Sequence, residues 1–199
     1  MMQRALALLA LAFAVIFALP GCSKYDELVQ KDETCKQKWS DYEAQLTRRA
    51  ELIPNLVSTV KAAANYEEST LTKITNARAS ANSIKLSGDD LSDPEKVKKF
   101  EQAQAQLSPS ALRGFLITSE NYPKLQASSQ YTDMMKQLEG TENRILRSRQ
   151  EYNDVVKDYN STLRKIGGSV VNKATNQPFK ERAYFTAAPE STAAPKVSF

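Results

Sequence analysis

Arg48 and Arg49 stand side by side in the stretch LTRRAELIPNLVSTV, a few residues before Pro54 and Asn55. Two guanidinium groups in one helical turn can grip a phosphate or a lipid headgroup bidentately. They can also do structural work, one meeting Glu139 or Glu142 on another helix while the other faces water. The second reading is preferred, because those acids stand at a plausible depth along the chain. Pro54 with Asn55 could be a hinge or a partner-binding kink, or a kink that only fits the helix to its neighbours. Tyr152-Asn153 and Tyr159-Asn160 recur seven residues apart, so each residue type repeats on one helical face. A ligand-reading face is one possibility. Core tyrosines with asparagines that fix register between helices, Asn143 being a further candidate at such a contact, are the preferred one. Glu67-Glu68 and Asp89-Asp90 pair carboxylates, but no glycine-rich loop lies near them, and surface charge or helix capping accounts for both.

The chain holds no histidine. That removes Ser-His and Cys-His nucleophile pairs, His-ligated zinc and the Glu-x-x-His of helical di-iron sites. No metal and no cofactor is expected. The formal charge of +4 is spread among interleaved acids and bases, which does not suit a nucleic-acid binder. Catalysis would have to rest on carboxylates or lysine.

The elements that must position these residues are helical. Six glycines in 199 residues, with abundant Ala, Leu, Lys, Glu and Gln, favour helix over sheet. Apolar residues recur at three and four through Leu28, Cys35, Trp39, Tyr42, Leu46, Ile53, Leu56 or Val57, Val60, Leu71, Ile74, Ala77 and Ala81. This predicts one long helix, or two joined at Pro54, from Asp26 to about Lys85. Pro54 deprives the Ala50 carbonyl of its hydrogen bond, and because no polar N-cap precedes it a kinked continuation is preferred over a clean break. The turn-rich LSGDDLSDP, 86–94, predicts a cap at Ser92 or Asp93 with Pro94 opening the next helix. That helix carries Val97, Phe100, Ala103 and Leu107, is disturbed by Pro109, and resumes through Leu112, Phe115 and Leu116. After the link SENYPKLQASS, 119–129, a third helix runs from about Gln130 to Ile166 on Met134, Leu138, Ile145, Tyr152, Val155 or Val156, Tyr159 and Leu163. Gly167-Gly168 is expected to stop it. The following segment should lay Phe179, Tyr184 and Phe185 on the helices, and 187–199 reads as a disordered tail. The fold expected is all-α, an elongated antiparallel bundle of three to four long helices over 22–186, with the first kinked or split at Pro54.

The N-terminus implies a membrane. Arg4 precedes an apolar run, Ala5 to Leu19, that spans roughly 22 Å as a helix, short of the ~30 Å hydrocarbon core. Residues 1–21 therefore read as a signal peptide or signal anchor. Gly21-Cys22 resembles a bacterial lipobox, in which signal peptidase II cleaves and Cys22 takes the lipid. The charges flanking the run place the body outside the cytoplasm, on the periplasmic or extracytoplasmic side. Cys35 would then be alone, and a buried, inert small hydrophobe is preferred over a partner in an intermolecular disulfide.

The strings WSDYEAQLTRRAELIPNLVSTVK, SENYPKL and LEGTENRILRSRQEYNDVVKDYN, with a looser match at AYF, resemble the LemA family. The resemblance covers roughly Tyr25 to Thr186. It implies a small membrane-associated bacterial protein with an antiparallel helical bundle and no established catalytic activity. Family members usually start with an uncleaved membrane helix, so Cys22 in a lipobox-like setting is a departure. Tyr66 stands where a histidine is frequent, and Ile166-Gly167 where Phe-Pro is common. The function expected is a membrane-tethered scaffold of the bacterial cell envelope that binds another protein. A carboxylate-dependent envelope hydrolase, which would need a concave polar pocket, and a periplasmic ligand sensor without chemistry are the alternatives.

Overall fold

A computed structural model describes residues 2–63, 68–107, 125, 127–175 and 179–186, with side chains at 23–62 and, after the first gap, from 71 onward. Tyr66, Glu67, Pro109, Leu112, Phe115, Leu116, most of the link at 119–129 and the tail at 187–199 lie outside the described residues, as does the side chain of Cys22. The described residues form five α-helices and one 3-10 turn: α1 (Met2–Ala63), α2 (Glu68–Ser83), the turn Asp90–Ser92, α3 (Pro94–Ala105), α4 (Ser129–Arg164) and α5 (Ile166–Ala174). Among the described residues α1 and α4 are the long helices, and α2 and α3 have 16 and 12 residues.

Two of the helices start where side chains can replace missing backbone partners. Asp93 caps α3 by accepting hydrogen bonds from the backbone N–H groups of Glu95 and Lys96, with Pro94 in the first turn. Ser128 caps α4 through the N–H of Tyr131.

α1 packs chiefly along α4. Residue pairs across the seam descend on α4 as they climb on α1: Lys31 with Asp158, Lys38 with Glu151, Gln45 with Arg144, Arg49 with Glu142, Thr59 with Met134. The two helices are therefore antiparallel. Counting sevens explains the fit. On α4 the buried Tyr131, Leu138, Ile145, Tyr152 and Tyr159 form one heptad row. On α1 two rows face inward: Leu28, Cys35, Tyr42, Arg49, Leu56 and, four residues on, Asp32, Trp39, Leu46, Ile53, Val60. Such a repeat keeps one face of each helix turned toward its partner. Leu56 and Val156 are the buried members where the periodicity left a choice with Val57 and Val155.

α1 is not split at Pro54; it runs unbroken from Met2 to Ala63. A proline in a helix interior leaves the carbonyl four residues earlier without its donor. That carbonyl, on buried Ala50, accepts a hydrogen bond from Nε of Arg78 on α2 at 2.7 Å. The helix continues because a neighbouring helix supplies what the proline removed. Gly167-Gly168 does not stop α4 either. The helix ends at Arg164 because Lys165 turns extended (φ −63°, ψ 153°), and α5 begins at once with both glycines inside it. Gly168 is there for space: a Cβ would collide with the Thr162 carbonyl oxygen.

The Arg78 bond generates a test by double-mutant cycle. Arg78→Met is expected to cost about 1.5–3 kcal/mol, the range for a bond from a charged donor. In a Pro54→Ala background the backbone N–H gained at that position satisfies the Ala50 carbonyl, and the cost of Arg78→Met should shrink by at least ~1 kcal/mol. Urea denaturation of the four chains reads both quantities; equal costs in the two backgrounds would show that Arg78 does not serve this carbonyl.

Candidate functional site

Arg49 occupies a core position of α1's heptad, which is why it is 3% exposed while Arg48 beside it is largely in water. Its Nη1 lies 3.2 and 3.4 Å from the two carboxylate oxygens of Glu142, and its Nη2 donates to the Gln104 side-chain and backbone oxygens on α3. The ion pair expected between an arginine of the pair and Glu139 or Glu142 is thus Arg49 with Glu142; Glu139 is exposed. Arg48 reaches Gln137 at 3.3 Å and sits 3.9 Å from Glu51. The two arginines diverge, so they do not converge on one phosphate. The Arg49 layer falls between two apolar clusters, one holding Leu46 and Ile145, the other Leu52 and Leu138. Burial pushes the Glu142 carboxyl above its ordinary value, with Arg49 acting the other way.

The twin Tyr-Asn pairs do something the heptad alone does not reveal. The side-chain amide of Asn153 donates to the Phe185 carbonyl at 2.8 Å and accepts from the Phe185 N–H at 2.9 Å. Asn160 makes the same two bonds with Arg182, at 2.8 and 3.0 Å. Asn172 on α5 repeats the pattern with Phe179. The asparagines therefore fix the register of a non-helical strap, residues 179–186, and not the register between helices. Spacing makes this possible. Seven helical residues rise ~10.5 Å, and three residues of an extended chain cover about 10 Å. Asn153 and Asn160 thus meet strap residues three apart, Phe185 and Arg182, and Asn172 on α5 meets the next at that interval, Phe179. The residues facing inward recur with the same period, which is that of a threefold extended chain. Tyr184 falls between them and is 42% exposed, contrary to the expectation that it packs; Phe179 and Phe185 do pack.

Phe185 fills an aromatic pocket built by three helices. It stacks on Trp39 (5.7 Å between ring centroids, 13° between planes) and lies 5.2 Å from Tyr42, 5.1 Å from Tyr152 and 6.3 Å from Phe100. The Tyr159 hydroxyl donates to the Lys180 carbonyl at 2.9 Å. Burial raises the hydroxyls of Tyr152 and Tyr159 well above the usual phenol range, and that of Tyr42 to about 12, so all three stay neutral.

Arg182 and Asp32 are site residues that the sequence reading missed. Arg182 is buried, with Nη2 and Nε at 2.8 and 3.2 Å from Asp32 Oδ1, Nη1 at 3.3 Å from the Gly88 carbonyl, and its guanidinium 5.8 Å from the Tyr159 ring centroid. The available signal was Asp32 itself: an acid in an apolar heptad row needs a cation, and Arg182 supplies it. Cys35, next in the neighbouring row, is free and fully buried, and burial pushes its thiol up to about 11. Pro54, Asn55 and Asn143 are exposed and are not brought together with the strap. A cleft of about 390 Å³ opens between α1, α2 and α3, lined on its polar side by Glu43, Thr47, Arg78, Asn82, Lys85 and Gln104.

A heptad seam with buried polar layers and a C-terminal strap clamped by asparagines defines a helical protein whose characteristic residues hold the chain to itself. The sequence profile of the LemA family matches residues 38–199, and the chain belongs to that family. It is also similar to two magnetosome proteins, MamQ 1 and MamQ 2, of Paramagnetospirillum magneticum (strain ATCC 700264 / AMB-1). Each is 26% identical over 200 residues, covering 93% of this chain and 73% of the relative.

Removing a clamp leaves two strap backbone groups without partners. Asn160→Ala is expected to cost about 2–4 kcal/mol, from two lost bonds and the orphaned groups. Amide hydrogen exchange should speed up at 180–186 while the α1 and α4 seam keeps its protection; uniform acceleration would mean the strap is not a separate unit. A second prediction concerns pH. Because Glu142's native carboxyl titrates above its unfolded value, its contribution to stability is full below the ordinary carboxylate range. It is lost as pH rises through the native value. The stability of the wild type minus that of Glu142→Gln should therefore fall with rising pH over that window and then level off, as read by denaturant titrations at closely spaced pH. A difference that rises instead would show that Arg49 outweighs burial.

Proposed function

We propose that this chain is a non-catalytic, membrane-tethered helical scaffold of a bacterial cell envelope, an antiparallel bundle whose body stands on the extracytoplasmic side and binds another protein. The observation that carries the reading is the fate of the reactive side chains. Arg49, Glu142, Asn153, Tyr159, Asn160, Arg182 and Asp32 are engaged with one another or with the strap backbone. A catalytic acid or nucleophile needs a partner-free face toward substrate, and these residues have given theirs to internal bonds. Arg48, Pro54, Asn55, Glu139 and Asn143 face outward and are the motif residues left to meet a partner.

The tether rests on the apolar run before Lys24 and on family membership. Among the described residues no helix is long and apolar enough to cross a membrane; in this reading the tether is residues 1–22, which hold the apolar run. Cys22 is its lipid-bearing residue. The relatives' association with the magnetosome stays with those relatives.

The mass of the N-terminal peptide from purified membranes tests this reading. A peptide beginning at diacylglyceryl or triacylated Cys22 is expected, and Cys22→Ser should abolish that species. An intact Met1 peptide indifferent to Cys22→Ser would replace the lipid anchor by a membrane helix. Recovery of the wild-type chain only in the soluble fraction would sink the tether altogether.

A further inference from the structure

The two most exposed large apolar side chains among the described residues are Ile166, 86% exposed, and Val170, 60% exposed. They stand four residues apart on α5 and therefore share a face. The opposite side of α5 is committed: Val171 and Gly168 are buried, and the helix is held to α4 by the close approach at Gly168. A free apolar face on a nine-residue helix is by itself uninformative. Its position is what informs.

α5 packs against α1 near Lys24, where the side chains of α1 are first described. A Cβ on Gly167 would lie 3.6 Å from Cγ of Lys24, and Lys165 lies in the field of Glu27. Because α1 is a continuous helix from Met2, Lys24 is five residues past the end of the apolar run at Leu19, a rise of only ~7.5 Å. It is two residues past Cys22, about 3 Å. Whichever of these anchors holds the chain, α5 stands at the level of the lipid headgroups, a layer some 5–8 Å thick on each side of the hydrocarbon. Amphipathic helices that rest in this layer sink their apolar face ~5–10 Å toward the acyl chains and surround it with cations. α5 has that surround. Lys24, Arg164 and Lys165 stand at this end with the acids Glu27 and Glu181, and Lys173 follows three residues after Val170 in the last turn of α5. Glu27 pairs with Lys24 and Glu181 with Arg164, while Lys165 and Lys173 make no ion pair among the described residues.

We propose that α5 is a second membrane contact: Ile166 and Val170 insert into the lipid surface beside the anchor, and Lys165 and Lys173 meet anionic phosphates. This rests on the tether proposed above and deepens it. With two points of contact, the N-terminus of α1 and α5, the rod of α1 and α4 cannot swing freely about one anchor. It is held at a set angle, which fixes how far from the membrane the outward residues on the far end are presented. The strap follows α5 directly, so its first clamp, Asn172 with Phe179, lies next to the membrane contact.

The experiment uses the full chain reconstituted into vesicles of phosphatidylcholine with phosphatidylglycerol. An environment-sensitive fluorophore is attached at Ile166→Cys or, as the remote control, at exposed Lys61→Cys. The parent chain taken through the same labelling gives the background from Cys22 and Cys35. The expected result is a blue-shifted emission at 166 that loses most of its intensity when nitroxide-bearing lipids are included, with the reporter at 61 unshifted and unquenched. Three results would overturn the proposal. A water-like, unquenched reporter at 166 on chains that float with vesicles removes α5 from the membrane and leaves the tether standing. A blue-shifted reporter that lipid nitroxides do not quench means that protein, not lipid, covers the face. Failure of the chain to float at all removes the tether and this inference with it.

Discussion

A charge set in the apolar row of a long helix has to be met by an opposite charge at one height, because an uncompensated buried ion costs several kcal/mol. α1 carries two such charges, Asp32 and Arg49, in rows that are otherwise apolar or aromatic. Apolar side chains alone would let α1 and α4 slide by a heptad and still bury similar surface. The pairing of Arg49 with Glu142 and Gln104 permits one register, and it ties α3 to the seam at the same layer. The pairing of Asp32 with Arg182 does the same for the strap. Register, the docking of α3 and the path of the C-terminal segment all depend on these two layers.

The strap is held by a different physics from the helices. A helix satisfies its own backbone, whereas residues 179–186 form no ladder and would leave their N–H and C=O groups unpaired against the core. Three asparagine amides supply both a donor and an acceptor at the spacing an extended chain presents, and Ala183 adds a backbone bond to the Leu91 carbonyl at 2.8 Å. Phe185 then buries its ring among Trp39, Tyr42, Tyr152 and Phe100, so apolar burial supplies the attraction and the amides supply the address. A segment fixed by side-chain bonds and one aromatic plug has fewer cooperative bonds than α1 or α4, and it belongs among the first parts of the fold to open.

Two local rules are broken in this chain, and each break has its reason in the packing around it. Pro54 sits inside a helix because Arg78 reaches its orphaned carbonyl. Gly167 and Gly168 sit inside α5, where propensity disfavours them, because at Gly168 a side chain would collide with the end of α4. The partner that Pro54 requires, Arg78, lies on another helix, 28 residues from the carbonyl that it serves.

The sequence alone determined the helical class, the inward rows of α1 and α4, a helix start at Pro94 capped by Ser92 or Asp93, and the apolar run that points to a membrane. These are properties of periodicity and local hydrogen bonding, which act within a few residues. Counting sevens from Leu28 also separates Arg49 from Arg48 and marks Asp32 as out of place. Only the tertiary structure decided that Glu142 and not Glu139 answers Arg49, that Asn153 and Asn160 hold a strap and not a helix, that Arg182 answers Asp32, and that Gly167 on α5 lies against Lys24. Those outcomes depend on which segments, far apart in the chain, reach the same height on the α1–α4 seam. Height is set by packing and charge pairing over the whole length, to which no window of local sequence has access.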